Sequence, residues 1–176
     1  MKRTLIFTFV CLFLQSIAMV TYAADRHEMP KVTMPAAFEQ LKELVGTWEG
    51  KTDMGDGEKN MTVIYRLTSG GTAVAETLAA GAPNEMETIY YKEGDSLAMT
   101  HYCALGNHPK MSLKKADDRT MTFEMTGPVG ITSPDEPHMH ALTLTRVDAD
   151  TLQQDWTHYQ NGKATQTVTF LLHRKR

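Results

Sequence analysis

The chain has 176 residues, of which 41% are hydrophobic and 22% charged, with 18 lysines and arginines against 21 aspartates and glutamates. This composition is typical of a globular protein with one sizeable hydrophobic core. The acidic balance and the lack of a basic stripe exclude the usual electrostatic basis of nucleic-acid binding, so nucleic acid is not an expected partner.

Residues 1–23 have the layout of a secretory signal peptide. Lys2 and Arg3 precede an apolar run over residues 5–20, and Ala23 is a small residue at the expected cleavage position. The apolar run is too short to predict a membrane span. We therefore expect an exported protein, periplasmic or secreted, that is cleaved near Ala23 and has no membrane span in its mature chain.

Removal of this leader changes the charge and the cysteine content. It lowers the number of basic residues from 18 to 16 and leaves the 21 acidic residues, so the net charge becomes −5. It also removes Cys11. Cys103 then has no intramolecular disulfide partner, so the exported domain must be stabilised by its core. We expect a flexible segment over residues 24–34 and one domain over residues 35–176.

One helix is predicted at the start of this domain, over residues 35–44. Phe38, Leu41 and Leu44 form a short apolar stripe, and a proline stands in the first turn. From Val45 onward the hydrophobic pattern has a period of two, which is typical of strands. Turn and loop signals divide this part into about ten strands, and they lie at residues 54–57, 69–71, 81–84, 93–95, 104–109, 117–119, 127–137, 148–150 and 161–162.

Short strands joined by hairpins must protect their edges, and closure into a barrel removes the edges altogether. A two-sheet sandwich fits the same strand pattern. We predict an all-β protein, a single up-and-down antiparallel β-barrel of about ten strands preceded by one short helix.

The segment Leu-Val-Gly-Thr-Trp-Glu-Gly at residues 44–50 resembles the opening of the calycin superfamily, which includes lipocalins, fatty-acid-binding proteins and nitrobindins. The resemblance implies that Trp48 closes one end of the barrel, with Arg174 over it by a cation–π contact. Further segments are similar to a family of exported bacterial lipocalin-like proteins without an assigned activity, namely residues 69–77, 86–90, 100–103 with 106, 107 and 109, and 138–140.

This resemblance implies a fold and a compartment, and it brings no activity with it. The chain lacks the disulfide of true lipocalins and shows no helix after its last strand, so lipocalin ligand classes are not carried over. A noncovalent haem, as in nitrobindins, would require one inward histidine and a roomy cavity, and no position matches the haem ligand of that family.

Alternation along the predicted strands places several polar side chains toward the barrel interior. Leu97 and Met99 set the inward phase for one strand, and Trp156 sets it for another. The interior is therefore predicted to be apolar and interrupted by four histidines, one cysteine and one glutamate, which are Glu76, His101, Cys103, His138, His140 and His158. Asn107 and His108 would form a polar rim, and the loop at residues 127–137 would be a lid.

Four interpretations compete for these residues. In the first, a small ligand binds in the interior, which is the function we expect. In the second, the polar side chains satisfy one another in a filled core. In the third, a transition metal or haem is bound, with ligands drawn from His101, Cys103, His138, His140 and His158. In the fourth, Cys103 or a histidine is the working group of an enzyme.

Overall fold

The structure, a computed structural model, describes residues 32–53 and 57–176. The predicted leader, residues 1–23, and residues 24–31 of the predicted flexible segment lie outside the described residues. Within the described ranges, no helix is long and apolar enough to cross a membrane.

Over the described residues the fold consists of ten strands and one short α-helix, and each strand pairs with its neighbours in sequence. The first strand also pairs with the last, so the antiparallel barrel is closed and the predicted fold class is confirmed. The elements are α1 (Ala37–Glu43), β1 (Gly46–Asp53), β2 (Glu58–Thr68), a 3₁₀ turn (Ser69–Gly71), β3 (Ala73–Leu78), β4 (Met86–Glu93), β5 (Ser96–Tyr102), β6 (Lys110–Ala116), β7 (Thr120–Met125), β8 (His138–Arg146), β9 (Thr151–Gln160) and β10 (Lys163–Arg174).

The alternating strand directions give the barrel two different ends. Helix α1 and the short turns at residues 94–95, 117–119 and 147–150 lie at one end, called the helix end below. The connections at residues 79–85, 103–109 and 161–162 lie at the other, called the loop end. The loop end also carries the long connection between β7 and β8, whose residues 127–137 are called the rim loop.

Trp48 and Arg174 lie together at the helix end. The Trp48 ring is fully buried, and its Nε1 donates a hydrogen bond to the Leu44 carbonyl at 2.7 Å. The Arg174 guanidinium carbon lies 4.1 Å from the Trp48 ring centroid. The same guanidinium donates to the carbonyls of Glu43 at 2.7 Å and Val45 at 2.9 Å. Arg174 therefore satisfies carbonyls that the end of α1 leaves without an intrahelical partner.

Arg174→Lys is expected to lower the free energy of unfolding by about 1–2 kcal/mol. An ammonium retains the charge but cannot bind two carbonyls and lie flat over Trp48 at once. Lys175→Ala is the matched control, because its ion pair with Glu49 is exposed on both sides and such pairs contribute about 0–1 kcal/mol. Urea unfolding followed by circular dichroism measures both, and equal losses would contradict the role assigned to Arg174.

Side chains fill the middle of the barrel. Tyr90 and Phe123 pack edge to face with their ring centroids 5.5 Å apart. Eight interior side chains are at most 1% exposed, namely Val63, Tyr65, Tyr90, Met99, Met111, Phe123, Leu142 and Trp156. A cavity large enough for water would leave accessible area on such walls. The predicted ligand cavity in the interior is therefore corrected, because these described side chains occupy the space.

Candidate functional site

A buried hydrogen-bond network centres on Glu76. Alternation along β3 points Glu76 inward, and its side chain is 0% exposed. Glu76 Oε1 accepts from Gln154 Nε2 at 2.6 Å and from the Tyr65 hydroxyl at 3.1 Å. Glu76 Oε2 accepts from the Tyr90 hydroxyl at 2.5 Å. Trp156 Nε1 donates to Gln154 Oε1 at 3.0 Å, so the network joins β2, β3, β4 and β9 across the barrel.

Burial favours the protonated forms of the acidic groups in this network. Burial raises the pKa of Glu76, and the hydrogen bonds from Tyr90, Gln154 and Tyr65 oppose that rise only in part. Burial and the neighbouring carboxylate raise the pKa values of Tyr65 and Tyr90 well above 10.0. Each of these polar groups has a partner inside the barrel, so the network is satisfied without a ligand.

His101 lies beside this network on β5. Its Nδ1 is 2.9 Å from the Thr88 hydroxyl, and its ring lies 4.5 Å from the Trp156 ring, centroid to centroid. The side chain is 1% exposed, and burial lowers the pKa of His101 to about 4. His101 is therefore a neutral core imidazole.

Cys103 is half-buried where β5 leaves the barrel, and it is the free cysteine of the described residues. Its backbone N–H donates to the Asn107 carbonyl at 2.9 Å, and its carbonyl accepts from the Gly106 N–H at 2.9 Å. Burial raises the pKa of the Cys103 thiol. A nucleophilic cysteine needs the opposite shift, so this environment does not favour the enzyme interpretation.

A β-bulge changes the phase of β8 at the loop end. The ladder pairs His138 with Tyr159 and Met139 with His158, and it resumes with Ala141 opposite Thr157. His140 is thus the extra residue of the bulge. Because the bulge inserts one residue, the inward and outward side chains before His140 no longer follow the alternation counted back from Leu142.

The bulge separates the candidate residues into groups. Because Tyr159 lies an odd number of residues beyond Trp156, it points to the opposite face of β9, and its cross-strand partner His138 points with it. His138 and His140 therefore gather around Tyr159 at the loop end. Among the described residues, neither histidine hydrogen-bonds to Glu76 or to its partners, so these predicted inward residues belong to two separate hydrogen-bonded groups.

His138 and His140 form a hydrogen-bonded pair. His138 Nδ1 lies 2.7 Å from the Glu136 carbonyl oxygen, and His138 Nε2 lies 3.2 Å from His140 Nδ1. The His140 ring stacks on the Tyr159 ring with centroids 3.8 Å apart and an interplanar angle of 13°. Burial, and next the charge of His138, lower the pKa of His140, while Glu124 acts in the opposite direction.

His158 stands apart from this pair. Its Nδ1 is 2.6 Å from the hydroxyl of Thr165, which sits at a register shift of β10 between Ala164 and Gln166. Burial, and then the charge of His138, lower the pKa of His158. The side chain is only partly buried, so the structure ties His158 to β10 at the barrel surface.

Asn107 and His108 join the two loops of the loop end. Asn107 Nδ2 donates to Glu136 Oε1 at 3.0 Å and to the Pro137 carbonyl at 2.8 Å. The His108 N–H donates to the Gly130 carbonyl at 2.9 Å. Gly130 has a φ of 83°, and a Cβ there would lie 1.9 Å from the His108 carbonyl oxygen, so this approach requires glycine. These contacts hold the rim loop in place.

A pocket of about 220 Å³ lies between the rim loop and the bulged end of β8, and it is called the rim pocket below. Met125, Pro128, Ile131 and Pro134 contribute its apolar walls. The polar contribution comes from His138, His140 and Tyr159. Sequence reasoning singled out the histidines and the loop but did not name Met125 or Tyr159 as site residues.

The structure does not assemble the predicted metal ligands. Among the described residues, no three His, Cys, Asp or Glu side chains are grouped so that they could hold a metal ion. Haem does not fit the rim pocket either, because about 220 Å³ is below the roughly 300–1,000 Å³ of pockets for drug-sized ligands.

No protein-family model matches the chain, and no curated protein is significantly similar to it.

Proposed function

We propose that the protein is an exported, lipocalin-like barrel that binds a small, largely apolar molecule in the rim pocket. The observation that carries this proposal is the pocket itself, which has apolar walls and a few convergent polar groups, the usual composition of a small-molecule site. The signal-peptide layout of residues 1–23 supports export, and the Gly-Thr-Trp opening at residues 46–48 supports the lipocalin-like relationship.

The pocket volume limits the size of the ligand. An apolar cavity of about 150 Å³ accommodates benzene. At about 220 Å³ the rim pocket has room for a ring with one or two substituents. A fatty acid or a larger polycyclic compound exceeds this space.

The roof of the pocket is anchored on both sides. On one side the Lys110 N–H donates to the Val129 carbonyl at 3.1 Å, next to the bond between His108 and Gly130. On the other, the Asn161 N–H donates to the Asp135 carbonyl at 2.9 Å. A pocket that is already formed loses little conformational entropy when a ligand binds.

A filling substitution tests this proposal. Ile131→Trp enlarges a wall residue, and it is expected to weaken binding of a single-ring probe, toluene, phenol or indole, by at least about tenfold. Leu105→Trp is the matched control, because Leu105 is 52% exposed on the neighbouring loop and does not line the rim pocket. Ligand-observed NMR titrations of residues 24–176 measure the dissociation constants.

Wild type and the control are expected to bind at least one probe with a Kd of about 1 mM or below. The proposal is overturned if no probe binds to wild type. It is also overturned if Ile131→Trp binds as tightly as wild type.

A further inference from the structure

A backbone carbonyl fixes the proton positions of the histidine pair. The Glu136 carbonyl oxygen can only accept, so His138 Nδ1, 2.7 Å away, carries a proton. An imidazole is mostly neutral at about pH 7.5. The second nitrogen of a neutral His138, Nε2, is therefore an acceptor.

The proton position of His138 determines that of His140. Because His138 Nε2 accepts, His140 Nδ1, at 3.2 Å, must donate. The proton of a neutral His140 is then on Nδ1, and Nε2 holds a free lone pair. Within the described part of the chain, His140 Nε2 has no hydrogen-bond partner, and it is not among the buried polar atoms without one. It is therefore accessible, on a side chain that lines the rim pocket.

We propose that the rim pocket selects a small neutral ring with one O–H or N–H donor, such as a phenol or an indole, and that this donor binds His140 Nε2. The proposal rests on the proposed function, whose pocket it uses. Stacking on Tyr159 holds the imidazole plane in place. The apolar side chains of Met125, Pro128 and Ile131 receive the ring of the ligand. The lining includes no lysine or arginine, so a carboxylate has no cationic partner there.

Acidification removes the acceptor, because a protonated His140 carries hydrogen on both ring nitrogens. Protonation of His138 removes it as well, because His138 Nε2–H would then donate to His140 Nδ1 and place the proton of a neutral His140 on Nε2. Burial, and next the charge of His138, lower the pKa of His140, while Glu124 acts in the opposite direction. The titratable groups around the pair are on β7, β8, β9 and the rim loop, namely Glu124, His138, His140, His158, Tyr159, Asp135 and Glu136.

Phenol and toluene form the test pair, since they differ by a hydroxyl in place of a methyl group. At about pH 7.5 wild type is expected to bind phenol about tenfold more tightly than toluene, which corresponds to one hydrogen bond. His140→Phe is expected to bind toluene as wild type does and to lose the preference for phenol. His108→Phe is the control, because its ring stacks on Tyr102 outside the rim pocket. Lowering the pH is expected to reduce the preference in wild type, because protonation of the histidine pair removes the acceptor.

Nitrogen-15 NMR of the imidazoles in wild type provides a readout that needs no variant. His140 is expected to show a protonated Nδ1 and an unprotonated Nε2, and phenol is expected to shift the Nε2 signal. Equal binding of phenol and toluene, or a proton on His140 Nε2, would overturn the hydrogen-bond inference and leave the proposed function standing. If neither phenol nor toluene binds to wild type, this inference fails, and the proposed function fails with it if indole does not bind either.

Discussion

Glu76→Ala is expected to lower the free energy of unfolding by about 3–5 kcal/mol, because it leaves buried donors without their acceptor. The hydroxyls of Tyr65 and Tyr90 and the amide of Gln154 all donate to this carboxylate. Each unsatisfied buried group costs about 1–3 kcal/mol, and the truncated side chain also leaves a cavity. The Gln154 amide retains its bond to the Tyr65 hydroxyl, so the costs do not add fully.

Glu76→Gln is the matched variant. An amide has nearly the same shape, its oxygen can accept from Gln154, and its NH₂ can donate to the Tyr90 hydroxyl oxygen. We expect a loss of about 1 kcal/mol or less near neutral pH. Urea unfolding of both variants measures the difference. Similar losses in the two variants would show that shape, and not hydrogen bonding, makes the network stabilising.

A comparison of wild type with Glu76→Gln reveals the protonation of Glu76. Burial raises the pKa of Glu76 in the folded protein above the ordinary 4.5. Below pH 4.5 Glu76 is therefore protonated in both the folded and the unfolded state, and its burial does not reduce the free energy of unfolding there through ionisation. As the pH rises above 4.5, the unfolded chain ionises first and wild-type stability falls until the folded-state pKa is passed. The glutamine variant lacks this contribution, so wild type is expected to lose stability relative to it over this range.

Acidification is expected to destabilise the protein by about 2–3 kcal/mol through His101 alone, between pH 7.5 and about 4.5. Burial lowers the pKa of His101 from 6.5 to about 4. Above pH 6.5 His101 is neutral in both the folded and the unfolded state, so the full free energy of unfolding is present. Between 6.5 and about 4 the unfolded chain binds a proton that the folded protein does not bind, so stability falls. Below pH 4 or so His101 is protonated in both states, and the free energy of unfolding falls no further through this residue.

A double variant isolates this effect. Thr88→Val with His101→Phe removes the imidazole together with its hydroxyl partner, so that no buried polar group is left unpaired. The double variant is expected to lose about 2–3 kcal/mol less than wild type on acidification, as measured by urea unfolding at each pH. An unchanged acid sensitivity would show that His101 does not titrate as its burial requires. The remaining histidines are common to both proteins and cancel in the comparison.

The two groups of polar side chains therefore have different roles. The Glu76 network and His101 lie in the filled centre, where every group named has a protein partner. His140 at the loop end has a free, accessible nitrogen beside an apolar pocket. Partner satisfaction, and not residue type, distinguishes a core histidine from one that is available to a ligand.

The sequence by itself determined the local elements of this protein. The stripe of Phe38, Leu41 and Leu44 predicted a helix that the structure places at Ala37–Glu43. The period-two pattern and its turn residues predicted ten strands, because side chains alternate and turn residues adopt restricted backbone angles over a few neighbouring positions. Alternation also predicted that Glu76 and His101 are buried.

Only the tertiary structure decided where a ligand has room. The partners of Glu76 come from β2, β4 and β9, and Gln154 is 78 residues away from it in sequence. The bulge at His140 depends on the register against β9, which no local pattern specifies. Whether a barrel is hollow depends on the summed volume of side chains from all its strands. Periodicity reports the direction of each side chain, whereas registers and volumes are properties of strands packed together.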